Sequence, residues 1–199
     1  MSSFTPTPKA PWRDLFTTHL SQNSSSEFSL STIAHDATKK NRPVPRVRLC
    51  GFRGFFPSPQ LHPSALDALE KQGEGLNPDL YESDMLSFTT DVRMEKVAQI
   101  QPSEGSEGNE VEMVFWLTDV ASQWRIKGVA FVIGDPDEGS TGEKTARGEI
   151  QRGLRVCSDD SREGWTWERQ VTTYFANHSP VMRGQLSSSF HPNGYNGHY

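Results

Sequence analysis

Arg46-Val-Arg-Leu-Cys-Gly-Phe-Arg-Gly-Phe55 is the stretch on which the reading of this chain turns. Its two-residue period predicts a strand from Val44 to Phe52, with Val47 and Leu49 on one face and Arg46, Arg48 and Cys50 on the other. Two arginines on one strand face can make paired, charge-assisted hydrogen bonds to phosphate oxygens. The plainer alternative is a solvated strand face, and Arg53 shares it, its neighbours Gly51 and Gly54 marking a bulge.

Two further segments extend the pattern. Met85 to Thr90 reads as a strand that ends in Thr89-Thr90-Asp91, and a helix from about Arg93 to Gln101 follows, stopped by Pro102. Free backbone N–H groups at such a junction suit an anion, and Lys96 one turn in adds a point charge. The alternative is Asp91 as a cap and Lys96 paired with a surface carboxylate. Farther on, Gln123, Arg125 and Lys127 alternate with Trp124 and Ile126. An amide on that face can donate to and accept from a heteroaromatic ring; an exposed polar face is the alternative.

The rest of the chain supplies an α+β frame with a mainly antiparallel sheet. Pro11 opens a short helix whose Trp12, Leu15, Phe16 and Leu20 recur at helical spacing. Phe28, Leu30 and Thr32 alternate with Ser29, Ser31 and Ile33, as do Val111, Met113, Phe115 and Leu117 with polar neighbours. Residues 57–83 read as an insertion in which Pro57, Pro59 and Pro63 break strands and Ala65 to Lys71 form a short surface helix. Ser103 to Asn109 reads as a hairpin-like loop and residues 134–149 as a mobile acidic loop. Asp160 with Glu163 resembles a capping pair before a helical stripe of Trp167, Val171, Tyr174 and Phe175. Neighbouring strands with one dry face need closure or cover, which fits a closed or partly open barrel. Residues 1–9 and 185–199 are expected to be disordered, leaving a single domain over 10–184.

Composition narrows the function. The 199 residues carry 20 Lys and Arg against 25 Asp and Glu, a formal charge of −5, which disfavours general binding to nucleic acid or a membrane surface. Cys50 and Cys157 make neither a disulfide framework nor a ligand set, and the six histidines show no metal-binding spacing. No nucleophile elbow, Walker loop or dinucleotide fingerprint is present. A soluble cytoplasmic protein with reduced thiols and no metal is expected.

Taken together, the three segments resemble the FMN-binding split barrel of the pyridoxamine 5'-phosphate oxidase group, with the Alr4036 branch the closest likeness. Arg46 to Gly51 is similar to the family strand whose arginine and following backbone, here Arg46, Val47, Arg48 and Leu49, line the flavin site. Phe88-Thr89-Thr90-Asp91 resembles the strand end, Val92 to Lys96 the phosphate-binding turn with Arg93 and Lys96, and Gln123 to Gly128 the strand that brings Gln123 and Arg125 to the flavin. Ala10-Pro-Trp-Arg13, and Trp167 through Ser179 to Gly184, are similar to the Alr4036 branch, and Ser179 joins the cofactor-contacting set on that likeness. Met94-Glu95 departs from the usual Ser-Arg. Beyond Gly184 the likeness stops, so the resemblance implies an incomplete C-terminal part.

The resemblance implies FMN as cofactor, a homodimer with flavin between two subunits, and a flavin-dependent oxidoreductase acting on an unidentified small molecule. Arg46, Arg48 and Lys96 would hold the phosphate, Thr89 and Thr90 the phosphate or ribityl chain, and Gln123 the ring. No catalytic residue is identified, because the flavin carries the redox chemistry. Two other readings stand beside it: a flavin carrier or degenerate interaction module that keeps the barrel without turnover, and a plain β-barrel binding module without a cofactor.

Overall fold

The computed structural model describes residues 8–73, 75–100, 109–134, 141–157, 164–179, 181 and 183. In chain order its elements are α1 (Arg13–Ser21), β1 (Glu27–Asp36), β2 (Arg42–Phe55), β3 (Ser58–Pro59), α2 (Pro63–Lys71), β4 (Tyr81–Glu82) and β5 (Leu86–Phe88). They continue with α3 (Glu95–Ile100), β6 (Asn109–Leu117), β7 (Ser122–Ala130), α4 (Thr141–Arg152), β8 (Arg155–Val156) and α5 (Trp167–Ala176). The chain divides into two compact units, residues 1–60 with 79–163, and residues 61–78 with 164–199. The segments 1–7, 101–108, 158–163 and 184–199 hold the expected N-terminal and C-terminal disorder, most of the Ser103 hairpin and the Asp160–Glu163 cap; these lie outside the described residues.

The first unit is built on an antiparallel sheet with strand order β3-β2-β1-β6-β7, and β5 also pairs with β2. Over the described residues the strand order does not close on itself, which is consistent with a split barrel. Register follows from the alternation seen in the sequence. Phe28, Leu30 and Thr32 point inward from β1, and Val111, Met113, Phe115 and Leu117 from β6, so a one-residue slip would expose every one of them. The β1–β2 hairpin pairs from Glu27 with Gly51 to Asp36 with Arg42. Its turn is set by the Asp36 carboxylate, which accepts the Thr38 N–H at 3.0 Å, and by Lys40 and Asn41 in left-handed conformation.

Phe16 on α1 plugs the inner face of this sheet. It is fully buried and makes edge contacts with Trp12, Phe52, Phe55, Phe115 and Trp124. Such ring clusters combine large apolar area with favourable edge-to-face geometry. Behind Phe52 the β2 ladder bulges, and Gly54 has φ 110°. A Cβ there would lie 2.9 Å from the Ser58 carbonyl oxygen, so glycine alone lets the chain fold back into β3.

The second unit packs α2 on α5 through Ala65, Leu69 and Ala176. The Asn77 side chain holds the start of α5, accepting from Thr166 N–H and donating to Thr166 O and Gln170 Oε1, each at 2.9 Å. Thr166 caps the helix by accepting the Arg169 N–H.

Several expectations need correction. Residues 141–149, expected within the 134–149 loop, belong instead to α4, which buries Ala146 and Ile150 and carries an i,i+4 ion pair from Arg147 to Glu143. Pro59 lies inside β3, a two-residue edge strand where its missing N–H costs no central ladder bond. The helix expected in the insertion starts at Pro63, two residues earlier, and is a surface helix whose inner side buries Ala65 and Leu69. The stripe expected on α5 is displaced, because Gln170, Thr173 and Ala176 form its buried side while Phe175 is exposed.

Candidate functional site

The inward side of β2 carries Arg48, Cys50 and Phe52 in alternation, Arg48 half-buried and the other two buried. Its Nη1 donates to Leu30 O at 3.3 Å and to Thr32 Oγ1 at 2.7 Å, and its Nη2 donates to Gln99 Oε1 at 2.7 Å. Thr32, itself 1% exposed, donates onward to Gln99 Oε1 at 2.6 Å. One guanidinium thus joins β1, β2 and α3. No carboxylate among the described residues lies within ion-pairing distance of it.

Lys96, on the same α3, is half-buried. Burial pushes the Cys50 thiol up, while the charges of Lys96 first and Arg48 second pull it the other way. Both cations therefore act on the Cys50 position. Lys96 Nζ also sits 2.8 Å from Met94 Sδ, which Thr90 Oγ1 approaches at 3.6 Å. Arg53 Nε reaches Thr89 Oγ1 at 3.4 Å, a long contact. Because α3 spans only six residues, its terminus contributes little field, and the positive charge comes from the side chains.

The other flagged residues lie elsewhere. Arg93 is folded onto the Asp91 carboxylate, and its hydrogen bonds hold Asp91 down at about 2. Arg46 is exposed and contributes to lowering the Asp36 carboxyl, behind the hydrogen bonds from Thr38 and Lys39. Val47 and Leu49 are each 71% exposed on the outer sheet face. Gln123 and Arg125 share that face on β7, Gln123 opposite Trp116 and Arg125 paired with Glu112 at 2.5 Å. Since β1 and β6 stand between β2 and β7, Gln123 is roughly 14 Å from β2, three strand spacings away. Ser179 belongs to the second unit and accepts the Arg183 N–H.

The structure therefore gathers Arg48, Lys96 and Cys50, with Thr90 beside them through Met94, and leaves Arg46, Arg93, Arg125 and Gln123 apart from that cluster. As members of the site, Gln99 and Thr32 escaped the sequence reading, which placed Thr32 only in the alternation of β1. Their signals were weak: Gln99 stands three residues after Lys96 on one helix face, and Thr32 is the one polar residue in the inward series of β1.

A cavity of about 320 Å³ opens in the first unit and is lined by Arg13, Thr17, Phe52, Phe55, Ser58 and Glu82 among others, but by none of the flagged residues. Its polar groups are largely spent: Arg13 lies over the Phe55 ring and donates to Ser83 O, Thr17 donates to Arg13 O, and Ser83 donates to Phe56 O. Among the described residues no cluster of His, Cys, Asp and Glu could hold a metal ion. No helix among them is long and apolar enough to cross a membrane.

Two cations that make no salt bridge among the described residues, near strand-end hydroxyls, fit the phosphate end of a flavin mononucleotide, whose dianion would supply a countercharge. No curated protein and no solved structure matches the chain. The model of one family does, that described as pyridoxamine 5'-phosphate oxidase, FMN-binding domain, over residues 9–134. That span covers β1, β2, β5, α3, β6 and β7, which is the sheet and the cation cluster together. The chain belongs to this family and is an FMN-binding protein of the flavin-binding split-barrel type.

Proposed function

We propose that the chain is a flavin-dependent oxidoreductase acting on a small molecule, with Arg48 and Lys96 gripping the FMN phosphate. The observation that supports this reading is that Arg48, held by Thr32 and Gln99, and Lys96 on the same helix as Gln99 make no salt bridge among the described residues, although Lys96 stands in the field of Asp91. Thr89 and Thr90 supply hydroxyls to the phosphate or ribityl chain. When bound, FMN accepts a hydride at its N5. The residues of the chain bind and orient it, and no acid–base pair is required of them. The narrower likeness to the Alr4036 branch is part of this proposal.

Gln123 reads the flavin ring only if a second copy brings it to the first copy's phosphate cluster, so the proposed working form is a homodimer. Val47 and Leu49, with Trp116 and Val129 on the same outer face of the sheet, support it as the surface a second copy covers. The test is spectroscopic. The purified chain, loaded with FMN, should take up one flavin per subunit, bleach with reduced nicotinamide or a small amine, and regain colour in air. Retention of flavin without bleaching favours the carrier reading, which Glu95 supports by placing an acid on the first residue of α3. Failure to take up FMN rejects both.

A further inference from the structure

Arg48 is held in a way that says more than that a cation is present. Thr32 Oγ1 and Gln99 Oε1 stand 2.6 Å apart and accept from Nη1 and Nη2, so together they occupy the end-on edge of the guanidinium, much as the two oxygens of one carboxylate would. Leu30 O takes the other hydrogen of Nη1 at 3.3 Å. Three of the five N–H bonds are thereby used. The two that remain are Nε–H and the Nη2–H beside it, which form the second, sideways fork of the group. Both acceptors are neutral, so the positive charge is fixed in direction and left uncancelled. Gln99 is also carried by the helix that carries Lys96.

We infer that Gln99 and Thr32 are positioning residues of the phosphate site: they aim the free Nε–Nη2 edge of Arg48 at a phosphate-bearing ligand and lock Arg48 to the helix of Lys96. This rests on the phosphate reading above and assigns it two further residues. Neither touches the ligand. Their effect passes through the guanidinium, whose long side chain would otherwise sample several rotamers and lose its bidentate geometry.

The experiment compares FMN with riboflavin, which has the same ring and ribityl chain but no phosphate, by quenching of flavin fluorescence. Gln99→Leu and Thr32→Val should each weaken FMN on the order of tenfold, the loss expected from one misaligned charged hydrogen bond. Riboflavin affinity should stay at the wild-type value, and Thr32→Ser, which restores the hydroxyl, should restore FMN affinity. General damage to the fold would weaken both flavins alike and overturn the inference. FMN affinity unchanged or tighter in Gln99→Leu, with Lys96→Ala weakened, would overturn it too while leaving the phosphate reading intact. If Lys96→Ala also binds FMN like wild type, the phosphate reading fails and the inference with it. Should Gln99→Leu not fold, the Thr32→Val and Thr32→Ser pair decides alone.

Discussion

Arg48 Nη2 donates to Gln99 Oε1 across 2.7 Å, tying the second strand of the sheet to the helix that bears Lys96. Arg46, two residues earlier on the same strand, has no such tether and stands exposed in the field of Asp36. The two arginines, equivalent in the sequence, should therefore separate in solution. Arg48→Met should weaken FMN by about 1.5–3 kcal/mol, the range for a charged hydrogen bond, whereas Arg46→Ala should change it by less than about 0.5 kcal/mol. Titration of both variants under one salt condition checks this.

Acid should attack the first unit through Asp84. Burial alone would raise its carboxyl, but the Arg155 guanidinium, the Ala10 N–H and Arg13 bring it below the usual carboxylate range. Such a group adds stability that is fully present above its unfolded pKa and is lost as pH falls through the lowered folded value. Asp91 behaves alike toward about 2, though its largely exposed Arg93 partner adds little. Asp84→Asn, which leaves Arg155 without its main partner, should cost about 2–3 kcal/mol at neutral pH and flatten the acid limb. Urea denaturation at a series of pH values measures both effects.

Phe16 is the most heavily contacted ring of the core, with five aromatic neighbours. Phe16→Ala should cost roughly 3–5 kcal/mol, the range for deleting a fully buried phenylalanine, since it empties the space among the rings of β2, β6 and β7. A drop in the midpoint of chemical denaturation with an unchanged slope would bear this out; a loss under 1 kcal/mol would mean that α1 is not anchored as described.

The outer sheet face offers a separate test. Leu49→Asp places a charge on a side chain already 71% exposed, so the subunit should fold as before. If a second copy covers that face, light scattering should show the mass fall to that of one subunit, and flavin should be lost with it. An unchanged dimer would move the contact elsewhere.

The strands were legible because β1, β6 and β7 obey a two-residue period with mostly aromatic or branched residues inside, and β2 keeps the period although it turns Val47 and Leu49 outward. The α4 segment was not. It contains Gly142 and Gly148 and offers only Ala146 and Ile150 as apolar anchors, and its helix depends on burial and on the Glu143–Arg147 pair. Two-residue strands such as β4 and β8 carry no period at all, and the Arg155–Asp84 contact that accompanies them joins positions 71 residues apart. At the site, the sequence named Arg48 and Lys96 but could not rank them above Arg93 and Arg125. What separates them is direct salt bridging: Asp91 and Glu112 hold the latter two, whereas Lys96 only feels the charge of Asp91, and pairing of that kind appears only once the chain is folded.

The most direct measurement of the account is calorimetric titration of the wild-type chain with FMN and with riboflavin. An Arg48–Lys96 phosphate grip predicts FMN binding at least about a hundredfold tighter, an advantage that falls steeply with added salt and disappears in the Arg48→Met, Lys96→Ala double variant. Equal affinity for the two flavins, or an advantage that survives in the folded double variant, would contradict it.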